Sequence, residues 1–227
     1  MTEFETVKVD APKVNLESIT NEFLINFISN SISLETCDIS KEVVTKILDN
    51  EPVECSETVK QLVNDYLEGF LYAVKLVSNN EEFTENTLKD LHQIIVKDKN
   101  LGGLYRNVDI SVKGSNHTPP SYIKVYDRME KYINYLAEGP KDDVFEYIAY
   151  CHLQLAKIHP FLDGNGRLAR LVLNYELMSN GFAPVIITAD ERDKYHVALE
   201  KFKVEKETAA FKDYLKELEL KSINMYY

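Results

Sequence analysis

The chain has 227 residues, 26 of them Lys or Arg and 37 Asp or Glu, which gives a formal net charge of −11. This length suits one compact domain, or one with a small appendage, and is ample to bury a core. The acidic balance argues against nucleic acid and an anionic membrane surface as partners, because both call for a surplus of cations, and no apolar run approaches the ~18 residues that span a bilayer.

The opening segment, MTEFETVKVDAPKVN, shows no basic stretch followed by an apolar one, so no secretory signal is expected. Three scattered cysteines, Cys37, Cys55 and Cys151, cannot all pair, and none sits at metal-ligand spacing, which fits a reducing, cytoplasmic setting. Of the basic residues 21 are Lys and only five are Arg, namely Arg106, Arg128, Arg167, Arg170 and Arg192. A chain that uses Lys for ordinary solvation and then sets Arg167 and Arg170 three positions apart has a use there for the planar guanidinium fork.

In chain order the expected elements are mostly helices. Leu16, Ile19, Phe23 and Phe27 fall three or four apart and predict an amphipathic helix to about Ser29. Ser40 is the expected N-cap of a short helix, Ser56 of a long one with a stripe from Val59 to Val77, and Thr84 of a third with Leu88, Leu91 and Ile95 on one face. The alternating run Val108-Asp109-Ile110-Ser111-Val112, followed by Lys113-Gly114-Ser115-Asn116, predicts a strand and turn, hence a small β-hairpin flap. Helices are expected again at Tyr122–Leu136, at Asp142–Ile158 and from Arg167 to Ser179, with Asn180-Gly181 as a stop, and a last helical region from Asp190 to about Leu220. His92, on the helix begun at Thr84, reads as a packing or capping residue.

Between the two best helices lies His159-Pro-Phe-Leu-Asp-Gly-Asn-Gly-Arg-Leu-Ala-Arg170. Pro160 cannot extend the preceding helix, and Gly164-Asn165-Gly166 makes a poor helical sequence, so a loop is required here. Gly and Asn tolerate positive φ, which lets successive N–H groups point into one concavity that opens onto a helix N-terminus. Arg167 and Arg170 put cations where the helix dipole favours an anion, an arrangement that makes sense when an anion such as a phosphate chain occupies the site. Asp163 is a hard oxygen ligand of the kind Mg²⁺ uses alongside phosphate oxygens, and His159 suits a general base. Base, carboxylate, anion nest and Arg fork on one loop describe nucleotidyl or phosphoryl transfer.

The stretch HPFLDGNGRLAR resembles the signature of the Fic family, His-Pro-Phe-x-Asp/Glu-Gly-Asn-Gly-Arg-x-x-Arg, at every defining position. The resemblance runs from about Ser31 to about Phe211 and takes in Gly103-Leu-Tyr-Arg106 and Pro119-Pro120, which bracket the family's flap. It implies a mainly α Fic fold, a multi-helix core with a small β-hairpin flap, divided as an N-terminal region at 1–55, a catalytic core at 56–220 and a tail at 221–227. It implies transfer of AMP from Mg-ATP to a Ser, Thr or Tyr hydroxyl of a protein, with self-modification and homo-oligomers both within its range.

Carried over by the resemblance, His159 deprotonates the hydroxyl, Asp163 holds Mg²⁺, and Gly164, Asn165 and Gly166 form the anion hole. Arg167 and Arg170 take the β- and γ-phosphates, Phe161 packs the loop onto the core, and Ile110, Ser111 and Val112 dock the target by β-augmentation. Tyr195 falls where the family often has an adenine contact, and Lys203 near a position often filled by Asn. Ser31-Ile-Ser-Leu-Glu35-Thr36 resembles the family's inhibitory helix, Ser/Thr-x-x-x-Glu-Gly/Asn, with Thr36 departing from the last position. By that likeness Glu35 pairs with Arg170 and denies it to the γ-phosphate. Removal of AMP, transfer of phosphocholine or another nucleotide, and a non-catalytic nucleotide-binding adaptor remain the alternatives.

Overall fold

The computed structural model describes residues 19–35, 37–112 and 115–226. Leu16, Thr36 and the expected turn at Lys113-Gly114 lie outside the described residues. Nine α-helices are seen among them: α1 (Asn21–Ser33), α2 (Lys41–Leu48), α3 (Glu57–Ser78), α4 (Glu85–Ile95), α5 (Val125–Glu138), α6 (Val144–Ile158), α7 (Asn165–Ser179), α8 (Arg192–Glu205) and α9 (Ala209–Tyr226). No described helix is long and apolar enough to cross a membrane.

The helix starts follow side-chain chemistry. Ser40, Ser56 and Thr84 each accept an N–H three residues on, as expected, and Thr20 does the same for α1. Asp143 accepts from Phe145 and Glu146 at the head of α6. Each such cap contributes about 1 kcal/mol. The last helical region differs from its expected single span. It breaks at Lys206, whose φ of 62° is left-handed, and this separates α8 from α9.

Helices α6 and α7 pack against each other at the centre. Helices α3 and α4 cover α7, while α5, α8 and α9 cover α6. Helix α1 lies across α3 and α7, driven there by Phe23, Phe27, Ile28 and Ile32, all buried. Phe27 stacks on Tyr66 at 5.2 Å between ring centroids and leans on Phe70 at 4.8 Å. Burying side chains of this kind stabilises by roughly 1.5–3 kcal/mol each. The apolar docking of α1 therefore fixes where Ser31 in its last turn and Glu35 just beyond it must lie.

The expected β-hairpin flap is not seen: the described residues contain no strand, and 108–112 carries no helix or strand. The second arm would have had to include Pro119 and Pro120, which have no N–H to give to a partner strand. Side chains hold the segment instead. Arg106 Nη1 donates to Val108 O at 3.0 Å, its Nη2 donates to Pro120 O, and Asp109 accepts the Tyr122 N–H at 2.7 Å.

Candidate active site

The loop between α6 and α7 is built from both ends. Helix α6 stops because His159 takes φ 51° and ψ 62° ahead of Pro160. Helix α7 starts two residues before Arg167, with Gly164 at φ 75° as its N-cap. In between, Asn165 folds the loop onto itself: its Oδ1 accepts the Phe161 N–H at 2.9 Å and its Nδ2 donates to Phe161 O at 2.8 Å. Its side chain is thereby consumed, and what it can offer an anion is its backbone N–H at the first turn of α7.

Phe161 is fully buried, stacked on His92 at 3.6 Å with 10° between the rings. His92 does more than pack. Its Nδ1 accepts the Gly103 N–H at 3.0 Å, so Nε2 carries the proton and donates to Asp163 O, also at 3.0 Å. This buried imidazole stitches 103 to the motif loop, and its burial pushes its pKa down to about 4, which keeps it neutral. Arg106 is the second stitch. It is buried, and its Nε donates to the His159 carbonyl at 2.9 Å while its backbone N–H donates to Pro160 O at 2.9 Å. In the sequence Arg106 is marked only as part of the Gly103-Leu-Tyr-Arg106 bracket, and nothing local distinguishes His92.

A cavity of about 760 Å³ opens above the loop, its wall including His159, Asp163 to Gly166, Arg170, Tyr195, Lys203 and Val112. His159 is partly exposed there, and burial, then the nearby Lys203 ammonium, push its pKa down to about 4. A bond from its ring to the Ala156 carbonyl pulls in the opposite sense. A neutral imidazole keeps a lone pair on one of its ring nitrogens. Tyr195 is buried and its hydroxyl meets His152 Nε2 at 3.0 Å. Since His152 Nδ1 bonds the Ala169 carbonyl and must donate, Nε2 is the acceptor and the Tyr195 O–H is spent on it.

The Arg pair has its anion within the chain. Arg170 is buried; its Nε donates to Ser31 Oγ at 2.6 Å, and its Nη2 reaches Ser31 O at 2.9 Å and Glu35 Oε1 at 2.9 Å. Burial is the largest single influence and lowers the Arg170 pKa, but the Glu35 charge and hydrogen bond together with Tyr66 and Tyr195 outweigh it and leave the pKa raised above its ordinary value. Ser31 Oγ donates in turn to Tyr66, whose hydroxyl donates to Arg167 O. Glu35 lies so close over the nest that a Cβ on Gly166 would stand 1.6 Å from its Oε1. No side chain fits at Gly166 while Glu35 is there.

Arg167 is placed differently from its neighbour. Its Nη1 donates to Ile95 O at 2.8 Å, its Nη2 to Asp163 Oδ2 at 3.3 Å, and its buried Nε has no hydrogen bond, the Glu35 Oε2 standing 3.6 Å away. It sits behind the cavity wall and braces Asp163. Asp163 itself is 60% exposed at the side chain, and no cluster of three or more His, Cys, Asp or Glu able to hold a metal occurs among the described residues. A lone carboxylate at a cavity lip fits Mg²⁺ when phosphate oxygens and water supply the remaining ligands, as that ion prefers. Ile110, Ser111 and Val112 lie in an irregular segment, with Val112 on the cavity wall.

Residues 82–177 match the family model described as the Fic/DOC family. Among curated relatives, the Protein adenylyltransferase Fic of Drosophila persimilis is 37% identical over 120 residues, 51% of this chain and 23% of that protein. The Protein adenylyltransferase Fic of Culex quinquefasciatus is 30% identical over 198 residues, 83% of this chain and 39% of that one. The chain thus spans well under half the length of these relatives. A Fic domain containing signaling protein from Bacteroides thetaiotaomicron shares the fold, with a TM-score of 0.86 at 20% identity over 98% of this chain and 93% of that one.

Proposed function

We propose that this chain is a protein adenylyltransferase, moving AMP from ATP to a Ser, Thr or Tyr hydroxyl of a protein, and that Glu35 restrains it. The observation that carries the reading is the placement of a neutral His159 on the same cavity wall as the α7 N-terminus and Arg170. The names of the relatives at 30–37% identity support the same reaction. In it the acceptor oxygen attacks the α-phosphorus, pyrophosphate leaves, and the hydroxyl proton goes to His159. The backbone N–H groups from Gly164 to Gly166 face the α-phosphate, and Arg170, once free of Glu35, takes the terminal phosphate. Asp163 would hold Mg²⁺, which supplies charge neutralisation on the phosphates. Residues 56–220 serve as the catalytic core, and α1 before them carries the inhibitor.

The reading is tested with ATP labelled at the α- or the γ-phosphate, using the chain and an added cell extract as acceptors. Label entering protein from the α position only is the expected result, and His159→Ala is expected to lower it by about 10²- to 10⁴-fold. Transfer of γ-label alone would replace AMP transfer by phosphoryl transfer, and unchanged α-labelling by His159→Ala would remove His159 as the base.

A further inference from the structure

The described residues of the flap have no strand ladder, yet they are tied down on either side. Its root hangs on Arg106 and Asp109. Its far end hangs on one carboxylate from α8: Glu200 Oε1 accepts the Ser115 hydroxyl at 2.5 Å and Glu200 Oε2 accepts the Asn116 N–H at 2.9 Å. Lys203, one turn further on, completes the set, its Nζ 3.2 Å from Glu200 Oε1 and 3.4 Å from Ser115 Oγ. Ser115 Oγ also accepts the His117 N–H at 3.2 Å, so its one proton and its lone pairs are all engaged. The Lys203 side chain is 7% exposed and that of Glu200 22%, and shielded bonds of this kind are stronger than surface ones. Val112, Ser115, Glu200 and Lys203 face the same cavity as His159.

We propose that Glu200 is a positioning residue for the transfer reaction. It fixes Ser115 and Asn116 to α8, and so sets the distance between His159 and an acceptor segment laid along Ile110 to Val112. The proposal rests on the AMP-transfer reading. Helix α8 packs on α6, which carries His159 at its end, so a flap bonded to α8 shares the frame of the base. Positioning errors of about 1 Å cost roughly 10²-fold in rate.

The test compares Glu200→Ala and Glu200→Gln with Glu200, each in a Glu35→Gly background. Three quantities are read: amide exchange of the peptide holding Asn116 and His117, Mg-ATP affinity by direct titration, and α-label transfer to the chain and to an added extract. Glu200→Ala is expected to speed exchange, leave nucleotide affinity unchanged, and lower transfer by about 10- to 100-fold. Glu200→Gln, which retains one acceptor oxygen, is expected to fall between. Unchanged exchange would overturn the clamp. Faster exchange with unchanged transfer, or a parallel loss of nucleotide affinity, would overturn the positioning role while AMP transfer stands. Absence of α-label even with Glu200 in place would overturn AMP transfer itself, and the positioning role with it.

Discussion

Replacing Glu35 by Gly isolates the contact between α1 and the nest. At an effective dielectric of about 20, unit charges at the 2.9 Å separating Glu35 Oε1 from Arg170 Nη2 attract by about 6 kcal/mol gross. Most of this is offset. The Glu35 side chain is 28% exposed and gives up hydration to pair, and Arg170 keeps both bonds to Ser31 when Glu35 is gone. A net 2–3 kcal/mol is left to oppose a terminal phosphate seeking Arg170, so Glu35→Gly is expected to raise α-label transfer by roughly 30- to 100-fold, at 1.4 kcal/mol per decade. Without nucleotide the same change removes a counter-charge from buried Arg170 and lowers stability by about 1–2 kcal/mol, a shift of roughly 2–6 °C in Tm. Steady-state labelling and a thermal melt, each with and without Mg-ATP, measure both effects. A lowered Tm with transfer still within twofold of the parent would refute the inhibitory reasoning and leave Glu35 as a structural ion pair.

Two further outcomes follow from the same geometry. Gly166→Ala pushes a methyl into the Glu35 carboxylate, which can swing away, yet the methyl stays in the nest; ATP affinity measured by titration is expected to drop at least about tenfold, in contrast to Glu35→Gly, and unaltered affinity would place the phosphates elsewhere. Acid is expected to destabilise the fold. His92, His152 and His159 are pushed down to about 4, 3 and 4, so between pH 6.5 and those values the unfolded chain takes up protons that the folded chain refuses, and stability falls as pH falls. Glu176, pushed up to about 7 by burial, and Glu219, also raised, act in the opposite sense. The net loss in urea unfolding at pH 5.5 relative to pH 7 is roughly 2 kcal/mol, and equal or greater stability at pH 5.5 would contradict it.

The caps at Ser40, Ser56 and Thr84 and the loop forced by Pro160 were legible because each depends on residues within one turn of one another. The need for an anion beside Arg167 and Arg170 was legible for the same reason. The flap was misread because alternation reports only which side chains share a face. A strand also needs a neighbour with free N–H groups, and the candidate neighbour contains Pro119 and Pro120. The break at Lys206 left no mark of the Gly or Pro kind that usually signals one.

By itself the sequence determined a negative body with a local cationic exception, a net charge of −11 around one loop that carries His159, Asp163, a glycine nest and two arginines. Charge and spacing could not apportion those arginines, and only the family resemblance paired Glu35 with Arg170. Only the packing of α1 through Phe23, Phe27, Ile28 and Ile32 delivers Glu35 to Arg170 from more than a hundred residues away. Only the approach of α4 turns Arg167 inward to Ile95 O, so that of the motif's two arginines it is Arg170 that lines the cavity. Charge and spacing are properties of the chain, whereas the direction in which a guanidinium points is fixed by whichever carbonyls and carboxylates the apolar core brings within 3 Å of it.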